Sequence, residues 1–414
     1  MIKIKPFKAV RPTRDKAYLV ASRSYLSYSD TTLREKLLNN PYTFLHIINP
    51  EYSSNTPVLA GIEKYKMVRA KYNEFNDDGT LVRDEKACLY IYQQVTAENT
   101  YTGIIAASSV DDYINGSIKV HEHTIAKREL MFADYLECTG FNAEPVLLSY
   151  SKVPRINQIM EVYMQERPEY EFTSTNKVLH HLWLIDKDAD IQEIQRLFKG
   201  VESVYIADGH HRSASSSSLC MRKRKELHSS NGEEPFNYFM SFLIDDEQMR
   251  IYDFNRLVSD LNGLSVEAFL LRVSDVYILD KQEKTHKPAE KDEISMYLAG
   301  NWYSLVAKEH SYNSAHCVEH LDTAILSKNV LEPILGIKDI RNDERIDFID
   351  GKQGLMALEN AVDSGAYRVA FALKPITFEQ LKQVADQNEI MPPKSTYIEP
   401  KLRSGLTIYN IDHD

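Results

Sequence analysis

Val204-Tyr205-Ile206-Ala207 is a short apolar run that stops at Asp208-Gly209-His210-His211-Arg212 and continues into Ser213-Ala214-Ser215-Ser216. β-forming residues, a glycine and then small residues predict a strand, a tight turn and a helix start. This stretch restricts the fold more than any other, because a strand end must meet a helix N-terminus there. Such a turn aims the first helical N–H groups and the positive end of the helix dipole at whatever lies above it. An acid, two histidines and an arginine at that place combine an anion-binding geometry with proton-transfer groups. The alternative reading of the same residues is a satisfied polar corner of the core.

The chain has 414 residues, enough for two or three domains. No apolar stretch approaches the roughly 20 residues needed to span a bilayer. Met1 to Phe7 carries no apolar leader before Pro6, so a cytoplasmic protein is expected. The net charge of −11 argues against general nucleic-acid binding, which needs a basic surface. The dense basic run Arg222-Lys223-Arg224-Lys225 reads as a solvated helix face. Cys88, Cys138, Cys220 and Cys317 are scattered, which suggests neither a disulfide framework nor a zinc site.

Along the chain, helical and strand patterns alternate. Helices are expected at 30–38, capped by Asp30 or a following threonine, and at 129–139, 190–198 and 377–385. Strands are expected at 87–94, 101–109, 145–150, 180–185, 204–207, 238–244 and 367–373, with a hairpin turn at Asn115-Gly116. The polar stretch 229–235 suggests a boundary, and 283–292 a charged surface segment. The fold class is thus α/β to α+β, with a mixed sheet.

Two further groups of residues can carry chemistry. In Lys119-Val120-His121-Glu122-His123-Thr124, a carboxylate lies between two imidazoles. If this segment stays extended, His121 and His123 face opposite to Glu122. A lone carboxylate is a common base for a hydroxyl proton. The spacing lacks the helical i, i+4 pattern of a zinc protease. The second group is the proline-punctuated segment from Met391 to Leu406, where Lys394, Lys401 and Arg403 can form a phosphate-contacting loop. His180-His181 beside Trp183 reads as structural, and the charge-rich segment 341–348 as a solvated face. No Walker A or other glycine-rich phosphate loop is present.

These segments, with Asn40-Pro41-Tyr42-Thr43-Phe44, Ser109-Val110-Asp111-Asp112-Tyr113, Leu335-Gly336-Ile337, Pro392-Pro393-Lys394-Ser395-Thr396 and Pro400-Lys401-Leu402-Arg403-Ser404-Gly405, resemble the bacterial domain of unknown function 1015 over nearly the whole chain. The middle third is more distantly similar to the ParB/sulfiredoxin-like superfamily. Its free-serine kinases carry an H-E segment upstream of an Asp-Gly-x-His-Arg turn. The resemblance implies a ParB/sulfiredoxin-like core at 100–228, flanked by α+β regions at 1–99 and 236–414, and a kinase acting with ATP or ADP and Mg²⁺ on a small hydroxylated metabolite, free L-serine being favoured. It gives Glu122, Asp208 and His211 catalytic roles, and Asp208 the metal. Gly209, His210, Arg212, Ser213, Lys394 and Arg403 would contact the nucleotide, and His121 and His123 the substrate. The insert between the two motifs is longer than in the small kinases, and the terminal regions have no counterpart in them. Two alternatives stay open: a nucleotide-binding switch that recruits a partner, and a phosphate-ester hydrolase using His210 or His211. No membrane partner is expected, nucleic acid is disfavoured, and the oligomeric state is open.

Overall fold

The computed structural model describes residues 1–54, 59–227 and 231–412. Ser229 and Ser230, in the stretch read as a boundary, lie outside the described residues. The chain divides into two units, Met1–Met249 with Pro400–Asp414, and Arg250–Glu399.

The first unit is built on a nine-stranded mixed sheet. Its strands in chain order are β1 (Ile4–Lys5), β2 (Leu89–Val95), β3 (Thr100–Ser109), β4 (Ile118–Lys119), β5 (Val146–Tyr150), β6 (Tyr170–Thr173), β7 (Leu179–Ile185), β8 (Val204–Asp208) and β9 (Tyr238–Asp245). They lie in the order β4-β8-β5-β9-β3-β2-β7-β6, with β1 also paired to β3. The pairs β4/β8 and β5/β9 are parallel and the rest antiparallel. Every residue of β5 and β9 is buried, as is all of β3 after Thr100. Continuous apolar runs such as Tyr238-Phe239-Met240 therefore suit a sheet covered on both faces. Strands from outside 100–228, namely β1, β2 and β9, complete the sheet.

Six helices of this unit matter here: α1 (Asp30–Asn39), α2 (Ile62–Asp77), α3 (Val110–Ile114), α4 (Ala126–Thr139), α5 (Asp188–Lys199) and α6 (His210–Leu227). The cap of α1 is Ser29, whose hydroxyl accepts from Thr32 N, and not Asp30 or a threonine as the sequence suggested. Asn115-Gly116 is not a hairpin turn either: Asn115 ends α3, and β4 beyond it runs parallel to β8. A glycine with φ +79° serves a helix end as well as a hairpin. Helix α4 packs on α6 and on α2. The basic run of α6 meets acids in place: Arg222 pairs with Asp134 at 2.9 Å, Lys223 with Glu137 at 2.8 Å, and Arg224 with Asp111 at 2.7 Å.

The second unit is a six-stranded antiparallel sheet. Its strands are β10 (Phe254–Val258), β11 (Tyr277–Gln282), β12 (Glu293–Leu298), β13 (Asn301–Ala307), β14 (Ile346–Asp350) and β15 (Val369–Ala372), in the order β11-β13-β12-β15-β10-β14. Alternation gives it two faces. Val258, Met296 and Phe371 pack with Phe269 and Val273 of helix α7 (Val266–Val276). Leu257, Tyr297 and Ala370 pack with Leu358 and Val362 of helix α8 (Leu355–Asp363). The charge-rich segment ends in β14, and Arg345 is held by Asp343 at 2.8 Å and by the carbonyls of Leu335 and Gly336. Among the described residues, no helix is long and apolar enough to cross a membrane.

Candidate functional site

Strand β8 carries a register shift between Ile206 and Asp208 against β5. A bulge at a strand end re-aims the side chain that follows. Gly209 then takes φ +103°, and its carbonyl accepts from Arg212 N at 2.9 Å and Ser213 N at 3.1 Å. Helix α6 starts at His210, so the predicted strand, turn and helix are all present. A methyl group on Gly209 would lie 2.7 Å from Arg212 Nε. Gly209→Ala is accordingly expected to destabilise the protein by about 1–3 kcal/mol through left-handed strain and displacement of Arg212. Denaturant midpoints measure this, and a loss below about 0.5 kcal/mol would mean that the turn relaxes freely.

Around Gly209 lies a chain of charges. Arg212 Nη2 meets Asp208 Oδ2 at 2.5 Å, and its Nη1 is bonded to Glu144. The other oxygen of Asp208 accepts from Lys401 Nζ at 2.8 Å. The other oxygen of Glu144 accepts from the Ser404 hydroxyl at 3.0 Å. Two cations and two carboxylates thus neutralise one another beside the helix N-terminus. Burial pushes the Arg212 guanidinium down to about 10, which leaves it charged at neutral pH.

A second cluster adjoins the first. Strand β4 stops at Lys119 and the chain bends at Glu122, so strand alternation does not persist. His121 is 1% exposed while His123 is exposed. His121 and Glu122 both converge on His210: the two imidazole centroids are 4.6 Å apart at 85°, and Glu122 Oε2 is 3.6 Å from His210 Nδ1. The Glu122 side chain remains 41% exposed. Both ring nitrogens of His121 and Nε2 of His210 are buried without a hydrogen-bond partner. His180 differs, with Nδ1 at 2.8 Å from the Tyr92 hydroxyl and Nε2 at 3.0 Å from Ser174 Oγ.

Burial holds both site imidazoles neutral. It pushes His121 down to about 3, with His210 adding to the effect and Glu122 opposing it. It pushes His210 down to about 4, against the pull of Asp208. An unfolded histidine titrates near 6.5. Between about pH 6.5 and 4 the unfolded chain therefore binds protons that these two sites refuse. Their contribution to stability is complete above about 6.5 and falls as the pH drops toward 4. Urea midpoints taken across pH 7.5 to 4.5 should decline more steeply than those of a variant with glutamine at both positions.

The remaining expected site residues are more dispersed. Ser213 is fully buried and its hydroxyl donates to the His210 carbonyl at 3.0 Å, back into its own helix. His211 is half-buried on the turn. Arg403 bonds Ser174 at 2.9 Å and Asn176 at 2.5 Å, beyond β6. Lys394 belongs to the second unit, where its ammonium lies 5.1 Å from the Phe254 ring centroid and its carbonyl accepts from the buried Arg256. Glu144 was not foreseen. Its only sequence mark is an acid directly before Pro145 at the head of an apolar strand. Lys401 stands in the basic loop singled out above and is the member of it that reaches Asp208.

Fold and site together define an α+β protein whose large mixed sheet delivers an Asp-Gly-His-His-Arg turn at a helix N-terminus. The chain belongs to the family described as protein of unknown function DUF1015, whose signature matches residues 4–324. Among curated proteins no sequence match is found. Similar solved structures include SbnI with a C-terminal truncation from Staphylococcus aureus, at 12% identity and a TM-score of 0.40, covering 74% of this chain and 87% of that one. A free serine kinase in complex with AMP has 13% identity and a TM-score of 0.35, with 74% and 91% covered. A conserved hypothetical protein from Pyrococcus furiosus has 16% identity and a TM-score of 0.35, with 73% and 95% covered. Likenesses of this size do not transfer a ligand from one chain to another.

Proposed function

We propose that this protein is a phosphotransferase that uses ATP or ADP to phosphorylate a small hydroxylated metabolite, with free L-serine the favoured acceptor. The observation that carries the reading is the convergence of Glu122 on the first residue of α6. A half-exposed carboxylate lies 3.6 Å from His210, whose backbone opens the helix. Phosphates bind at the Gly209 turn, where no Cβ obstructs approach and the α6 N–H groups point outward. Arg212 and Lys401 are the cations at hand. A phosphate draws them from Glu144 and Asp208, which hold them in the resting state. Lys401, rather than Arg403, is the loop cation placed for this.

Phosphoryl transfer needs positioning and charge neutralisation more than covalent help. The acceptor hydroxyl oxygen forms the new P–O bond, the bond to the nucleotide leaving group breaks, and Glu122 takes the hydroxyl proton. His211, half-buried in the first turn of α6, is assigned to the transferring group in this reading. Magnesium would supply further positive charge to the phosphates. Both oxygens of Asp208 already carry a cationic side chain, so an ion there has to displace Lys401 or Arg212. Asp208 as arranged does not fit magnesium, and no step depends on it.

³¹P NMR of the protein with Mg²⁺, ATP or ADP and a pool of hydroxy-amino acids tests the reading. A new phosphomonoester resonance supports it and identifies the acceptor. Nucleotide line broadening without turnover favours a binding switch instead.

A further inference from the structure

We propose that His121, Glu122 and His210 form a binding site for a first-row divalent transition-metal ion of the Mn²⁺, Fe²⁺ or Zn²⁺ kind. One ligand atom from each of the three lies within 4.8 Å of the others, and no other such trio of His, Cys, Asp or Glu occurs among the described residues. An ion with ligands at about 2.0–2.2 Å holds them roughly 3.3–3.6 Å apart, so a contraction of at most about 1.5 Å closes the site. The separation of 3.6 Å between Glu122 and His210 is already of that size.

The unpartnered nitrogens are the independent sign. A buried imidazole ordinarily satisfies its ring nitrogens. His180, also buried, bonds Tyr92 and Ser174 through its two ring nitrogens. His121, 1% exposed, bonds through neither nitrogen, while His210, 5% exposed, turns Nδ1 to Glu122. Two imidazoles and one carboxylate select first-row transition ions over Mg²⁺, which prefers oxygen ligands. Three protein ligands leave coordination positions open, and Glu122 is 41% exposed. When bound, such an ion supplies Lewis-acid charge to a phosphate or hydroxyl oxygen. Asp208 is a poorer place for a cation, because Arg212 and Lys401 already occupy its oxygens.

The full chain, stripped with chelator, is titrated with Co²⁺ and with Zn²⁺ in the absence of nucleotide and acceptor. The readouts are visible d–d absorption of Co²⁺ and metal content after desalting. Binding of one ion per chain is expected. Glu122→Gln and His210→Gln should each weaken it at least about tenfold. Glu122→Gln alters a half-exposed group, so its thermal midpoint should match the parent and keep the comparison interpretable. No Co²⁺ or Zn²⁺ bound, or binding unchanged in both variants, overturns the site. Neither readout needs phosphoryl transfer, so failure here and failure of the phosphotransferase reading are separate results.

Discussion

Glu122→Gln is expected to lower phosphoryl transfer by about 10²–10⁴-fold, the usual worth of a positioned proton acceptor. Glutamine keeps the shape of the side chain and one carbonyl oxygen but cannot take the acceptor's proton. The effect should fall mainly on kcat, because the turn proposed to meet the nucleotide is built by Gly209, Arg212 and the first residues of α6. Nucleotide affinity should change little. Because Glu122 is 41% exposed and bonded to no buried partner closer than His210 at 3.6 Å, folding should be unaffected. Initial rates by ³¹P NMR, with nucleotide binding by calorimetry, separate these quantities. A loss under threefold would remove Glu122 from the proton-transfer role and favour a protein that only binds nucleotide.

Arg212→Met should have the largest effect on stability. Asp208 and Glu144 both lean on this guanidinium, and Lys401 reaches only Asp208. Removing the arginine leaves the Glu144 carboxylate with the Ser404 hydroxyl alone. Breaking a fully buried pair in this way costs about 3–5 kcal/mol. These side chains are 24–36% exposed, so solvent screening reduces the expectation to about 2–3 kcal/mol. Nucleotide binding should be lost as well, since the fork proposed to meet phosphate is gone. Arg212→Lys should rescue little, because a single ammonium cannot bridge two carboxylates as a planar fork does. Urea denaturation at pH 7 and calorimetric nucleotide binding measure the two effects. A change below about 0.5 kcal/mol at pH 7 would mean that the network contributes nothing net.

Much of the local structure is legible because it depends on neighbouring residues. The amphipathic spacing of Ile191, Ile194 and Phe198 predicts α5, and Thr377 with Gln380 forms a capping box at the helix expected there. The turn at Gly209 is legible for the same reason: apolar run, glycine and small residues act within a few positions. Misreadings also have local causes. Asn115-Gly116 fits a hairpin and a helix end equally, and only the parallel pairing of β4 with β8 decides between them. Extended alternation across His121 to His123 fails because β4 has only two residues and nothing holds the chain straight beyond it.

By itself, the sequence determined the α+β class, the strand–turn–helix at Asp208 to Ser213, and the residue types available for chemistry. These follow from periodicity, glycine and capping, which act over a few residues. Tertiary structure alone decided that Lys401 and Glu144 join Asp208 and Arg212, and that His121 and Glu122 meet His210. Those partners are distant in sequence. Sheet order brings them together, by setting β4 and β5 on either side of β8. Charge and hydrogen bonding act through space at a few ångströms, and no sequence spacing records which distant side chains will share that space.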